Sequence, residues 1–173
     1  MYYLNLFFFY SILGNIFERT IMFLMHKTYI SGFMGTIFTP VYGIGILVIL
    51  FIHNKLKIKN KPIRLITEFI LFTLSLTLLE LISGILIEKI LHKVFWNYNF
   101  LKYNIGPYIS LEISLVWGLL SLLILYLIQP IFNKLEPYIP KLLTILMFIL
   151  FITNLIISLI VKWPISYFST FII

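Results

Sequence analysis

All the acidic groups in this chain are glutamates: Glu18, Glu68, Glu80, Glu88, Glu112 and Glu136. Four of them lie in or against long apolar runs, where an ion is costly and has to face a partner or a cavity. Glu18, followed by Arg19, comes late in the first run. Glu80 lies near the middle of the third and Glu88 near its end, and Glu112 opens the fourth. On a helix, Glu80, Ser83, Gly84 and Ile87 share a face, with Glu88 about one turn further. Ser83 and Gly84 are small enough to let another helix approach closely. That face should therefore point into protein, either to hydrogen-bond neighbouring helices or to line a polar transport path. Glu18 should pair with Arg19 or with a neighbouring helix. Tyr42, Trp96 and Asn104 are the aromatic and amide groups placed to close the mouth of such a cavity, and Glu112 could line it or sit among headgroups.

Other chemistries find less to work with. Paired carboxylates such as Glu18 and Glu88 could act as acid and base on a lipid or amphipathic substrate. No Ser-His-Asp set or acidic metal motif accompanies them. The chain has no Cys, so it has no thiolate nucleophile and no disulfide framework. His26 and His92 fall toward the same side as Glu18 and Glu88, with His92 four residues after Glu88. Two histidines without a third ligand of fixed spacing do not define a metal site, so neither metal nor cofactor is expected. His53 falls on the other side and stands outside this group. Arg64 and Glu68, four apart, read as a local helix pair worth tenths of a kcal/mol.

These residues are positioned by apolar segments. Of the 173 residues, 61% are hydrophobic and 11% charged. A soluble domain carries about 25% charged residues and could not hide this much apolar surface from water. A helix needs about 20 apolar residues to cross the hydrocarbon core. Five stretches qualify or nearly so, at about 4–25, 39–53, 62–91, 108–129 and 138–161. The fold class expected is all-α, a single transmembrane bundle over residues 1–173, with a short apolar tail at the interface. The third stretch is long enough to tilt or protrude.

The net charge of +7 sits mainly between the apolar runs, which points to a membrane surface rather than nucleic acid. The densest basic stretch, Lys55, Lys57, Lys59, Lys61 and Arg64, should be cytoplasmic. That places the N-terminus inside and, with five spans, the C-terminus outside. The first span lacks a basic start and a small-residue cleavage site, and reads as retained. The Ile, Lys, Asn, Phe and Tyr bias, with no Ala or Asp, suits an AT-rich bacterial genome.

Before the second span, residues 32–45 hold four glycines and Pro40. They oppose a regular helix there. Either a re-entrant start lining protein or water, or a surface turn ahead of a Gly-tolerant span, fits. The third loop carries Phe95-Trp96-Asn97-Tyr98-Asn99 and Tyr103-Asn104. It is either an interfacial anchor or a lid in which Asn97 and Asn104 supply hydrogen bonds.

Taken together, several of these runs resemble one family. They are Phe9-Tyr10-Ser11-Ile12-Leu13-Gly14 with Glu18; Gly32-Phe33 to Pro40-Val41-Tyr42-Gly43-Ile44-Gly45; Glu80 to Glu88; Phe95-Trp96-Asn97-Tyr98; Tyr103-Asn104-Ile105; and Ser114 with Trp117-Gly118. The pattern over about residues 9–130 is similar to the putative ABC-transporter type IV family of bacterial membrane proteins. The resemblance implies a multi-span, permease-like protein. The chain departs from that pattern at Asn15, where the family tends to have Trp. It departs again at Asn97, in place of Asp, and at Pro107-Tyr108, in place of Gly-Arg, losing a carboxylate and a cation.

Five spans are few to enclose a path alone, so a homo-oligomer or a partner is expected. No G-x-x-x-x-G-K-[ST] loop is present, so ATP hydrolysis would come from a separate ATPase subunit. A membrane-embedded enzyme acting on lipid and a non-catalytic scaffold subunit are the alternatives.

Overall fold

The computed structural model describes residues 1–24, 36–92, 94 and 96–160. The glycines before residue 36, His26, Lys27, Lys93, Phe95 and the C-terminal tail lie outside the described residues. Of the segment 32–45, read as opposing a regular helix, residues 32–35 lie outside the described residues. From Pro40 the chain is regular α-helix through Gly43 and Gly45, correcting that expectation for its second half.

The described chain is mostly helical, with short connections and one small hairpin. Its elements are α1 (Tyr2–Leu24), α2 (Pro40–Lys55), α3 (Lys61–Leu91), β1 (Asn104–Ile105), β2 (Ile109–Ser110), α4 (Leu111–Leu123), a π-helical turn (Ile124–Ile128), α5 (Gln129–Leu135), a 3-10 turn (Glu136–Tyr138) and α6 (Lys141–Ile160). Local chemistry sets most boundaries. Pro40 opens α2, where its missing N–H costs nothing. Asn60 caps α3, accepting from the Ile63 N–H at 3.2 Å, and Pro62 follows in the first turn. His92 ends α3 in the left-handed region (φ 53°), its N–H returning to the Glu88 carbonyl. Ser110 caps α4 through the Ile113 N–H, and Glu112 in the first turn complements the helix dipole.

Pro130 explains the π turn. A proline in a helix offers no N–H to the carbonyl four residues back and clashes with it. Widening the preceding turn relieves both problems, and the Gln129 N–H then bonds Ile124 O, five residues back. The helical run therefore continues past Pro130 instead of ending near Gln129, where the sequence expectation stopped.

By internal contacts the chain divides into two units. The described residues of the first fall within Met1–Leu47 and Phe132–Ser169. Its core is aromatic: Phe8 packs on Phe38 and Phe151, and Phe132 lies against Tyr2, Phe9 and Tyr10. Gly43 lets α2 approach α1, since a Cβ there would lie 2.6 Å from the Phe7 carbonyl oxygen. Asn5 is the polar hub. It is buried, donates to Glu136 Oε1 at 2.8 Å and accepts from the Thr144 hydroxyl. Beside it α1 and α6 form an apolar cleft of about 170 Å³, lined by Phe8, Ile12, Ile16, Leu143 and Met147 among others. Asn5→Ala is expected to lower stability by about 1–2 kcal/mol, because Thr144 and Glu136 both lose a partner. Detergent-based denaturation should show it, and an unchanged midpoint would mean that neither bond forms.

The second unit, Val48–Ile131 in its described part, is built on α3 and α4 lying side by side. Gly118 brings the two helices together against Phe69 and Thr73. Hydroxyls along both helices bond back to their own backbones: Thr67 to Ile63 O, Thr73 to Phe69 O, Thr77 to Thr73 O, Ser114 to Ser110 O and Ser121 to Trp117 O. The two strands pair antiparallel, Asn104 with Ser110 and Ile105 with Ile109. The Gly106-Pro107-Tyr108 turn joins them, with Gly106 at φ 63°.

Among the described residues, two helical runs are long and apolar enough to cross a membrane, Lys61–Ile90 and Leu111–Tyr138. Only 22% of the apolar window of each is buried inside the protein, so most of their apolar surface faces outward.

Candidate functional site

One face of α3 carries Glu80, Gly84 and Glu88 at four-residue steps, so their side chains line up. The connection from α3 to α4 covers that face with two tyrosines. Tyr98 is 9% exposed and donates to Glu80 Oε1 at 2.8 Å; Glu80 is itself 8% exposed. Glu80 Oε2 makes no hydrogen bond of ordinary geometry, although the Trp117 indole on α4 lies close enough to act on the carboxyl. A Cβ on Gly84 would meet the Tyr108 ring at 2.5 Å, so the missing side chain is what lets Tyr108 lie flat against α3. The Tyr108 hydroxyl then donates to Glu88. Burial, and next the bond to Glu88, push the Tyr108 phenol up to about 12. It therefore stays a neutral donor at physiological pH.

The covering loop is held by its own bonds. The Trp96 indole N–H donates to Tyr108 O at 3.0 Å, and the two rings meet edge to face. The Tyr98 N–H reaches Pro107 O at 2.9 Å. Asn97 accepts from the Asn99 N–H, and Asn104 donates to Asn99 Oδ1 and Gly106 O. Glu112 accepts from the Tyr103 N–H at 3.2 Å through Oε1, fixing the hairpin to the start of α4. Its Oε2 is buried and has no hydrogen bond.

In the first unit, Glu18 accepts from the Tyr42 hydroxyl at 3.0 Å. Gly14 makes room for the Tyr42 ring, which a Cβ there would meet at 2.2 Å. Arg19 is exposed.

A second cluster in the second unit surrounds Glu68, which is fully buried. His53 Nδ1 lies 2.7 Å and Arg64 Nε 2.9 Å from Glu68 Oε1. The Tyr126 hydroxyl donates to Oε2 at 2.6 Å. Arg64 also donates to the His53 carbonyl at 3.2 Å. Tyr126 comes from the π turn, so the turn that Pro130 imposes carries the tyrosine that completes this set.

Compared with known proteins, the sequence matches the family described as Putative ABC-transporter type IV over residues 5–161. The chain belongs to that family. No curated protein matches it, and no solved structure does. The match runs through every helix and both carboxylate clusters of this Putative ABC-transporter type IV member.

Several expectations are corrected by the geometry. Gly84 admits a tyrosine from the covering loop rather than a second helix, and the close helix approach occurs at Gly118. Ser83, on the same side of α3, is half-buried. Glu18, expected to pair with Arg19 or with a neighbouring helix, accepts from Tyr42 on the neighbouring α2, in line with the second alternative. Asn97 and Asn104 are used in holding the loop. Arg64–Glu68 is more than a local pair, since His53 and Tyr126 join it. In this family member Tyr108 stands where the resemblance leads one to expect an arginine. Here the residue meets Glu88 through a neutral hydroxyl. His53 and Tyr126 were missed as partners of Glu68 because their spacings from it, 15 and 58 residues, carry no local signal. The buried carboxylate just past the basic run was the available hint.

Proposed function

We propose that the chain is a multi-pass membrane protein with five spans, acting as the permease-like component of a transport system. The family supports this, as do the outward-facing apolar helices and the hydroxyls bonded back to their own backbones. A helix in lipid must satisfy its polar groups internally. In this reading the N-terminus lies on the cytoplasmic side of a bacterial plasma membrane and the C-terminus outside. α1, α2 and α6 supply the other three spans. ATP hydrolysis is supplied by a separate subunit or within a larger assembly, since the sequence has no phosphate loop.

The observation that carries the proposal is Glu80. It is buried on a helix fit to cross a membrane and is met by a neutral phenol rather than a cation. A carboxylate at the bilayer centre costs about 2.5–3.5 kcal/mol on insertion scales, a cost with no structural return that an amide could not give. Glu80 and Glu88 therefore line the polar side of the cargo path. Tyr98 and Tyr108 cover it, with Ser83, Trp96, Asn104 and Glu112 at its outer end. Glu18, Arg19 and Tyr42 form a candidate transport group of their own within the first unit.

Glu80→Gln should leave the fold intact, with an unchanged or higher thermal midpoint in detergent. It should reduce stimulation of a copurifying ATPase subunit by tenfold or more, on the order of the 1.4 kcal/mol that a lost ionic contact to cargo represents. Full stimulation by Glu80→Gln would remove the carboxylate from the mechanism.

A further inference from the structure

The connection from α2 to α3 alternates in both type and exposure. Lys55, Lys57, Lys59 and Lys61 are exposed, while Leu56 and Ile58 between them are half-buried. Lys57 and Lys59 stand in the connection itself, and Lys55 and Lys61 are the last residue of α2 and the first of α3, so four exposed ammonium groups gather at the edge formed by one short turn. Among the described residues the ion pairs are those of Glu68 with His53 and with Arg64, so no carboxylate neutralises this edge. Arg64 is spent on Glu68 and the His53 carbonyl, which leaves the lysines as the outward charge. They also flank the start of a helix of 31 residues, whose dipole is positive at that end.

We propose that this lysine edge binds the anionic headgroups of the membrane's own phospholipids, holding the α2–α3 turn against one leaflet. The inference rests on the membrane reading above. Lipid is favoured over an acidic protein by the shortness of the connection. Residues 56–60 alone separate two helices, so the ammonium groups stay at the depth where those helices leave the bilayer. The half-buried Leu56 and Ile58 hold the turn down, and long lysine stems reach headgroups from there. A juxtamembrane basic residue contributes about 1 kcal/mol toward an anionic surface. That corresponds to roughly fivefold per lysine and several hundredfold for four, falling steeply with salt.

The test uses the full chain purified in neutral detergent. Phosphatidylglycerol and phosphatidylcholine are titrated in separately, and retained lipid is counted by native mass spectrometry. The wild type should prefer phosphatidylglycerol, and added salt should erase the preference. The quadruple variant Lys55→Gln, Lys57→Gln, Lys59→Gln, Lys61→Gln should lose it while keeping its helical circular dichroism. A Lys134→Gln, Lys141→Gln control should retain it. Because glutamine at exposed loop positions is mild, each single variant should also fold and show its fivefold share. A wild type without preference overturns the proposal, as does a quadruple variant that keeps it. Loss of soluble polyglutamate binding in the quadruple variant, with lipid preference unchanged, would assign the edge to an acidic protein and overturn it too. Extraction of the chain from membranes by alkaline carbonate would end the membrane reading itself. A carbonate-resistant chain indifferent to headgroup charge ends this proposal alone.

Discussion

Glu68→Leu is expected to destabilise the protein by about 3 kcal/mol. Glu68 is fully buried and both of its oxygens are occupied, by His53 and Arg64 on one side and Tyr126 on the other. Removing one member of a buried ionic set costs about 3–5 kcal/mol, because the remaining charge keeps its desolvation cost without its partner. The lower end applies here, since the Arg64 side chain is 28% exposed and water can reach it. The same reasoning makes a second variant informative. Changing Arg64 to Met on the Glu68→Leu background removes the orphaned cation and should return much of the loss. Tyr126→Phe should cost about 1 kcal/mol alone and nearly nothing once Glu68 is gone. Denaturation midpoints in a single detergent would measure all three. If Glu68→Leu proves neutral, the cluster behaves like an exposed ion pair worth little, and its burial has no energetic consequence.

The same cluster shows what could be read from the sequence and what could not. The spacing of Arg64 and Glu68 is a local signal, and the pair is there. His53 and Tyr126 arrive from other elements, and nothing in the spacing of a chain reports such meetings. Helix boundaries were legible where punctuation residues fix them. The third stretch, expected at 62–91, is α3, Lys61–Leu91, because Asn60 and Pro62 mark its start. The second, expected at 39–53, begins at Pro40 and runs to Lys55. The fourth was misjudged at both ends. Its first residues belong to the hairpin, whose two-residue strands are too short to alternate visibly. Its end was placed near Pro130, which widens the helix into a π turn without stopping it. The shared face of Glu80, Gly84 and Glu88 was legible because helix geometry dictates it. The identity of its cover was not, since Tyr98 and Tyr108 look like interfacial aromatics until the loop is seen to fold back over α3.

Gly118→Leu is expected to cost 3 kcal/mol or more, with Gly118→Ala nearer 1–3 kcal/mol, the usual range for overpacking. A Cβ at Gly118 would sit 2.1 Å from Thr73 Oγ1 and 2.8 Å from the Phe69 ring. Neither neighbour yields easily. The Thr73 hydroxyl is tied to Phe69 O at 2.7 Å, so turning it away breaks that bond. Phe69 is held on the same helix one turn earlier. The strain would fall on the α3–α4 contact, and those two helices carry Glu80, Trp117, Arg64 and Glu68. A pair of controls separates sterics from backbone strain. Thr73→Ala should recover part of the Gly118→Ala loss by clearing the nearest atom. Gly106→Ala meets nothing within 4 Å, so its left-handed backbone should cost only about 1–2 kcal/mol. A neutral Gly118→Ala would show that α3 and α4 are not in close contact there.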